Sequence, residues 1–336
     1  MEPILKVENL SISFRTDEGT VTPITGVDFD LMPGRTLGLV GESGSGKSVT
    51  TKALIRLLPG SATIHPPSRM HYRDKSGRLI EIEKLPRNGG AVRRLRGGEI
   101  GMIFQEPMAS FSPVYTIGNQ MIETIRLHRG LSRRAARDLA VEMLTKVGLS
   151  DPASRVDQYP HELSGGMRQR AMIALALSAG PALLIADEPT TALDVTIQAQ
   201  VLELMRGLQR DLGMAMIFIT HDLGVIAQIA DEIAVMYLGT IVERGPVRDV
   251  LKSPQHPYTR GLMKAIPSLD RLDARLSPVP GDIPSPSHRP AGCAFHPRCA
   301  ERITGLCDRQ APALSWPGPG RMLRCHLAER SERSAA

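Results

Sequence analysis

Residues 41–48, Gly41-Glu42-Ser43-Gly44-Ser45-Gly46-Lys47-Ser48, place glycines, a lysine and a hydroxyl at the spacing G-x-x-x-x-G-K-[ST]. Glycines there let backbone N–H groups wrap phosphate oxygens, and a helix starting at residue 47 points its positive end at them. Lys47 would reach the β- and γ-phosphates, and the Ser48 hydroxyl would hold Mg²⁺. The segment Ala182-Leu183-Leu184-Ile185-Ala186-Asp187-Glu188 ends an apolar run in two carboxylates. Asp187 suits Mg²⁺, usually through water, and Glu188 suits a general base that polarises the attacking water. Alone, such an ending could simply cap a helix; beside the loop at 41–48 the catalytic reading takes precedence. Leu163-Ser164-Gly165-Gly166-Met167-Arg168-Gln169-Arg170 has a capping serine and glycines that leave helix N–H groups open to an anion. A second anion-binding helix start is superfluous in a self-contained site. It makes sense if this surface meets a nucleotide held by another subunit. The last candidates are four cysteines, Cys293, Cys299, Cys307 and Cys325, spaced C-x5-C-x7-C-x17-C.

The elements that must position these groups follow from patterning. Residues 4–14 and 27–32 alternate as strands do, and 36–40 is a short apolar run entering the glycine-rich loop. A helix is predicted from 47 to 58, stopped by Pro59-Gly60, with a loop-rich stretch at 60–98. Buried strands are predicted at 100–104, 182–186 and 214–219, helical periodicity over 117–178, and a helix over 196–211. Runs apolar on both faces belong at the centre of a parallel sheet, so the alternation argues for α/β architecture with a helical excursion. The chain has 336 residues, 42% hydrophobic and 23% charged, so a sizeable core is possible. With 4% aromatic residues that core must be mainly aliphatic. Net charge is +6, compatible with nucleic acid, an anionic membrane surface or a general Arg-rich habit. No apolar run reaches the roughly 18 residues of a membrane span, and the N-terminus lacks the basic and apolar regions of a signal peptide. A cytosolic protein is expected, working at a membrane only through a partner.

Landmarks in series identify a family. LSGGMRQR at 163–170 resembles the signature motif of ABC-family ATPases, and the resemblance runs from residue 4 to about 250. It implies that Phe14 stacks on adenine. Gln105, in FQEP, would be the Q-loop residue sensing Mg²⁺ and the membrane subunit. Thr191-Ala192-Leu193-Asp194 resembles the D-loop, and His221, in ITHD, the switch histidine at the γ-phosphate. The implied ATP set is Phe14, Gly41, Ser43, Gly44, Ser45, Gly46, Lys47, Ser48, Thr50, Gln105, Asp187 and His221. Ser164, Gly165, Gly166 and Asp194 complete it, with Ser48, Gln105 and Asp187 on Mg²⁺ and Glu188, Gln105 and His221 catalytic. The implied fold is a P-loop ABC ATPase with a mixed sheet core, a β subdomain and a helical subdomain at about 108–178. The implied assembly is a head-to-tail dimer with two ATP molecules between loops and signature motifs.

Composition shifts near residue 250 into a Pro-rich stretch, so 1–250 and 251–336 are expected as two domains. Gln255-His256-Pro257-Tyr258-Thr259-Arg260 and Gly292-Cys293-Ala294-Phe295-His296-Pro297-Arg298-Cys299 resemble the tail of the oligopeptide/dipeptide/nickel importer subfamily. FQEPMASFSPVYTIGNQ resembles its Q-loop, with Phe111 and Ser112 replacing the commoner Leu-Asn, a change that would bear on membrane-subunit pairing. That subfamily implies a second, related ATPase subunit, two permease subunits, an external solute-binding protein and no nucleic acid. The expected place is peripheral, at the cytoplasmic face of the inner membrane. Di- or oligopeptides are the leading solutes, with nickel, glutathione or another solute as alternatives; a non-transport ABC ATPase or an exporter subunit are the competing roles. In a reducing cytosol a structural disulfide is not expected. Four thiolates in a small Pro-rich tail suit a metal or cluster. The resemblance tips the choice toward [4Fe–4S] on Cys293, Cys299, Cys307 and Cys325. Zinc, with His296 or His326 as further ligands, and free thiols remain alternatives. Both histidines are expected at the surface. A structural role, not electron transfer, is expected for the cysteine centre, because the tail lies far in sequence from the ATP motifs.

Overall fold

The computed structural model describes residues 2–105, 111–191, 193–265 and 279–328. Its strands are β1 (Leu5–Thr16), β2 (Gly19–Leu31), β3 (Thr36–Val40), β4 (Ala62–Ile64), β5 (Arg69–Arg73), β6 (Leu79–Glu81), β7 (Ile100–Ile103), β8 (Leu183–Asp187), β9 (Ala215–Thr220), β10 (Glu232–Tyr237), β11 (Thr240–Pro246), β12 (Ser315–Gly318) and β13 (Arg321–Leu323). Its helices are α1 (Lys47–Leu54), α2 (Gly90–Leu95), α3 (Ile117–Arg129), α4 (Arg133–Lys146), α5 (Pro152–Arg155), α6 (Gly165–Ser178), α7 (Val195–Leu212), α8 (Leu223–Ile229), α9 (Val247–Lys252) and α10 (Pro257–Lys264).

Two sheets carry the chain. The larger has the order β12-β13-β11-β10-β3-β9-β8-β7 and is parallel from β10 to β7. Both of its faces are covered. Leu184 and Ala186 of β8 join a core shared with the helices α3, α4, α6 and α7. Leu183 and Ile185 face the other way, into a core shared with α1 and the smaller sheet. That is the two-residue period of a strand buried on both faces. The smaller, antiparallel sheet has the order β2-β1-β5-β6, with β4 also pairing β1. The stretch at 60–98 expected as loop thus holds three short strands and α2. β4 and β5 pair with β1, with Phe14 opposite Ala62 and Leu5 opposite Tyr72, and β6 pairs with β5; such pairing is a tertiary signal that three- to five-residue runs do not show in sequence.

The tail is built into the larger sheet. β13 pairs with β11 (Glu243 opposite Leu323), and β12 closes that edge. Tyr258, Val279 and Phe295 are buried in the same core as the parallel strands. Glu243, buried to 1% exposure, accepts hydrogen bonds from the Gln255 and His256 N–H groups and from Arg321 at 2.7 Å. Phe111 is likewise buried and packs into the same core.

Candidate nucleotide site

Register alone brings the site together. β3, β9 and β8 are adjacent and parallel, with Val40 opposite Thr220 and Ile219 opposite Asp187. The residues that follow them, Gly41, His221 and Glu188, therefore emerge at one carboxyl edge, where ligands of open α/β sheets bind. β7 ends beside β8, with Ile103 opposite Ala186, which delivers Gln105 to the same edge.

The loop 41–48 takes conformations few residues allow. Gly41 has φ 154°, and a Cβ there would sit 2.2 Å from the Met236 carbonyl oxygen. Gly46, at φ 102°, is the N-cap of α1, and its Cβ would lie 2.5 Å from Ile24 Cδ1. Lys47 is buried, and its Nζ donates to the carbonyls of Gly41 at 2.8 Å and Glu42 at 3.0 Å. Burial pushes this ammonium below the usual lysine range, opposed by the carboxylates of Glu188, Asp187 and Glu42. Ser43 and Gly44 are exposed, while Ser45 is buried. Thr50 is wholly buried on α1, its hydroxyl donating to the Gly46 carbonyl, so it holds the loop from behind.

Asp187 and Glu188 serve the same site although neighbours in a strand point to opposite faces. Glu188 has φ 48°, left-handed for a non-glycine, and this breaks the alternation. Ser48 donates to Asp187 Oδ1 at 3.1 Å, an oxygen pair of the kind Mg²⁺ takes. Burial raises the Asp187 carboxyl above its ordinary range, opposed by the Ser48 hydrogen bond. A divalent cation fits there, since it would stabilise the ionised form that burial penalises. Glu188 is held from three elements: Gln105 Nε2 donates to Oε2 at 3.2 Å, Thr191 Oγ1 donates to the same oxygen at 3.0 Å, and His221 Nδ1 lies 3.5 Å from Oε1. The Thr191 contact was not singled out by spacing; only its place three residues after Glu188 hints at it.

The remaining candidates face outward. Ser164 caps α6 by accepting from Met167 N–H, and Ser164 and Gly165 are exposed. Asp194 caps α7 through Ile197 N–H at 2.9 Å. A Cβ on Gly166 would touch Ile197 Cγ2, so this motif and the start of α7 form one surface. Val195 beside them is 83% exposed. Gln169, buried, donates to the Pro189 carbonyl and ties this helix to the segment after Glu188. Phe14 is half-buried against the second core. Ala192 lies outside the described residues.

All four cysteines are free thiols, and Cys307 and Cys325 are buried. Cys293 N–H donates to the Cys307 carbonyl, and Ile303 N–H donates to Cys307 Sγ at 3.3 Å. Burial pushes the Cys325 thiol up to about 12, and the neighbouring Cys293, Cys299 and Cys307 add to the rise. Cys293 and Cys299 are half-buried, so the four thiols differ in their access to solvent. A single zinc ion would need them roughly 3.8 Å apart, from Zn–S bonds near 2.3 Å. Among the described residues, only His71, Glu81 and Glu83 bring three ligating atoms within 4.8 Å. His296 Nδ1 contacts the Cys293 carbonyl oxygen and His326 Nε2 that of Gln310. His326 is buried, not at the surface as expected, because the end of the tail folds under residue 310.

The tail also reaches the loop. Tyr258 hydroxyl accepts from Glu42 N–H at 3.0 Å, and Arg298 forks the Glu42 carboxylate at 2.8 and 3.1 Å. No sequence pattern links residues 42 and 298, so the tail, far in sequence from the phosphate loop, meets it only through the fold.

A sequence profile for the ABC transporter family matches residues 24–191, and one for the oligopeptide/dipeptide transporter C-terminal region matches residues 242–307. A protein of Brucella abortus (strain 2308), named as a peptide import ATP-binding protein, is 50% identical over 320 residues, covering 94% of each chain. A protein of Brucella suis biovar 1 (strain 1330), named likewise, is 48% identical over 323 residues, 96% of this chain and 94% of that one. Among solved structures, a dimeric ATP-binding cassette in a post-hydrolysis state with ADP and phosphate superposes with a TM-score of 0.63 at 24% identity, covering 73% of this chain and 99% of that chain. A cassette from Clostridium perfringens, part of an ABC transporter complex, gives 0.62 at 24% identity, covering 75% and 92%. At that identity the likeness concerns the fold.

Proposed function

The chain belongs to the ABC transporter ATPases, and from that premise we propose how its residues divide the work of driving peptide import. It is the ATP-binding, ATP-hydrolysing subunit of an ABC importer for peptides, using ATP and Mg²⁺. The observation that carries the assignment of roles is the Glu188 carboxylate held by Gln105, Thr191 and His221 beside a phosphate loop whose Ser48 meets Asp187. Lys47, Ser48 and the N–H groups of 43–48 would bind the β- and γ-phosphates, with Ser48, Gln105 and Asp187 placing Mg²⁺. Phe14 would stack on adenine. Glu188 would accept the proton of the attacking water, with Gln105 and His221 orienting it at the γ-phosphate. Residues 1–250 form the nucleotide-binding unit, with the helical subdomain at about 108–178, and 251–336 form the tail.

Ser164, Gly165, Gly166 and Asp194 face outward, so they would complete a site on a second, related ATPase subunit. Two permease subunits and an external binding protein complete the translocase, and no helix of the described residues is long and apolar enough to cross a membrane. The subunit would sit peripherally on the cytoplasmic face of the inner membrane. The isolated chain is therefore expected to be mostly monomeric and nearly inactive, with hydrolysis appearing on assembly with a different ATPase subunit and the permeases. Steady-state phosphate release from purified chain and purified complex checks this; vigorous turnover by the isolated chain would contradict the heteromeric arrangement.

The four cysteines are proposed to hold a [4Fe–4S] cluster, supported by their mutual influence and the N–H bond to sulfur. Protein purified without oxygen is expected to be brown, with about four irons per chain. Colourless, iron-free protein whose stability is unchanged by Cys→Ser at all four positions would exclude the cluster.

A further inference from the structure

Glu42 puts a carboxylate inside the loop that must receive a polyphosphate. Its carbonyl accepts from Lys47 Nζ and from Ser45 N–H, so the backbone of residue 42 frames the pocket. Its side chain is 26% exposed and would repel ATP unless neutralised. Arg298, from the segment between Cys293 and Cys299, supplies the neutralisation. The Arg298 side chain is only 4% exposed and all its donor nitrogens are engaged. Nε donates to the Pro280 carbonyl, Nη2 to the Val279 carbonyl, and the two Nη groups fork Glu42. The guanidinium also lies 5.8 Å from the centroid of the Tyr237 ring, which packs against Tyr258 and Phe295. Glu42 holds Arg298 above even the usual guanidinium range, so the guanidinium keeps its charge near neutrality.

We propose that Arg298 is a positioning residue for nucleotide: it masks the charge of Glu42 and, with Tyr258, braces the phosphate loop from the tail. The inference rests on the ATP-binding reading of residues 41–48. It makes the folded cysteine-bearing tail a determinant of ATP affinity, because Arg298 stands one residue before Cys299 and is locked to 279–280. A bidentate pair this buried is strongly coupled, and removing one partner leaves the other's charge uncompensated.

The test is equilibrium binding of MgATP to the full-length chain, read by fluorescence of a labelled ATP analogue, with melting temperature and thiol accessibility as controls on the tail. Arg298→Ala is expected to weaken binding about tenfold, since a carboxylate then faces the phosphates. Arg298→Lys keeps the charge without the fork and is expected in between. Adding Glu42→Gln to Arg298→Ala should bring affinity back to within about threefold of wild type, because the offending charge is gone. Glu42→Gln alone should tighten binding roughly two- to fivefold, as it leaves a positive charge at the loop. In the assembled complex, Arg298→Ala should raise KM for ATP and leave kcat nearly unchanged. Binding by Arg298→Ala within twofold of wild type, a double variant as weak as the single one, or weakened binding by Glu42→Gln alone would each overturn the proposal. Absence of ATP binding by the wild type would instead refute the ATP-binding reading beneath it.

Discussion

Glu188→Gln is expected to lower ATP turnover at this subunit's site by about 10²–10⁴-fold while ATP binding persists, the usual scale for losing a general base. The amide is nearly isosteric, so the contacts from Thr191 and His221 can largely be re-formed around it. What it cannot do is take the proton from water. Lys47 and the loop N–H groups still hold the phosphates, so the nucleotide-closed dimer should accumulate. The partner subunit's own base must be disabled for the effect to be read cleanly by single-turnover phosphate release. Turnover at the wild-type rate in that background would remove Glu188 from the role of base.

Lys47→Ala should act differently, on binding. Lys47 Nζ is held by the Gly41 and Glu42 carbonyls at 2.8 and 3.0 Å and faces the carboxylates of Asp187 and Glu188. Truncation removes a buried cation and the donors that ATP would take over. Charge-assisted hydrogen bonds are worth about 1.5–3 kcal/mol each, so a loss of one or two corresponds to roughly 10- to 10⁴-fold in affinity. Calorimetric titration of the full chain with MgATP checks this. An affinity within threefold of wild type would show that the lysine is not at the phosphates. Contrasted with Glu188→Gln, the pair separates holding the nucleotide from cleaving it.

The chemistry of the site was legible because each landmark is local. The loop at 41–48 needs glycines where φ is positive or a Cβ would clash, and Gly41 and Gly46 meet that need. The apolar run before Asp187 reads as a central strand because both faces of β8 are buried. Residues 100–103, 183–187 and 215–220 fall within a residue of their expected bounds for the same reason. Helix α1 stops at Leu54, short of the expected Leu58. Its carbonyls turn instead to Arg56 and Leu57 N–H groups, and Arg56 takes a left-handed φ of 57°. What sequence did not show depends on contacts between distant segments. β4 and β5 exist because β1 offers them an edge, and β6 because β5 does. β13 exists because β11 offers an edge, and β12 because β13 does. Arg298 meets Glu42 across 256 residues, and only the folding of the tail onto Tyr237 brings them together. The left-handed turn at Glu188, which lets adjacent carboxylates share one site, has no glycine to announce it.

Hydrolysis at this constellation is expected to drive peptides across a membrane. The most direct test reconstitutes the complete transporter in vesicles enclosing MgATP and offers a labelled oligopeptide mixture with the binding protein outside. Wild-type vesicles are expected to accumulate peptide only when ATP is enclosed, and vesicles carrying Glu188→Gln are expected to accumulate none beyond a first turnover. Robust ATP hydrolysis without uptake of any peptide in the mixture, or uptake undiminished by Glu188→Gln, would contradict the account.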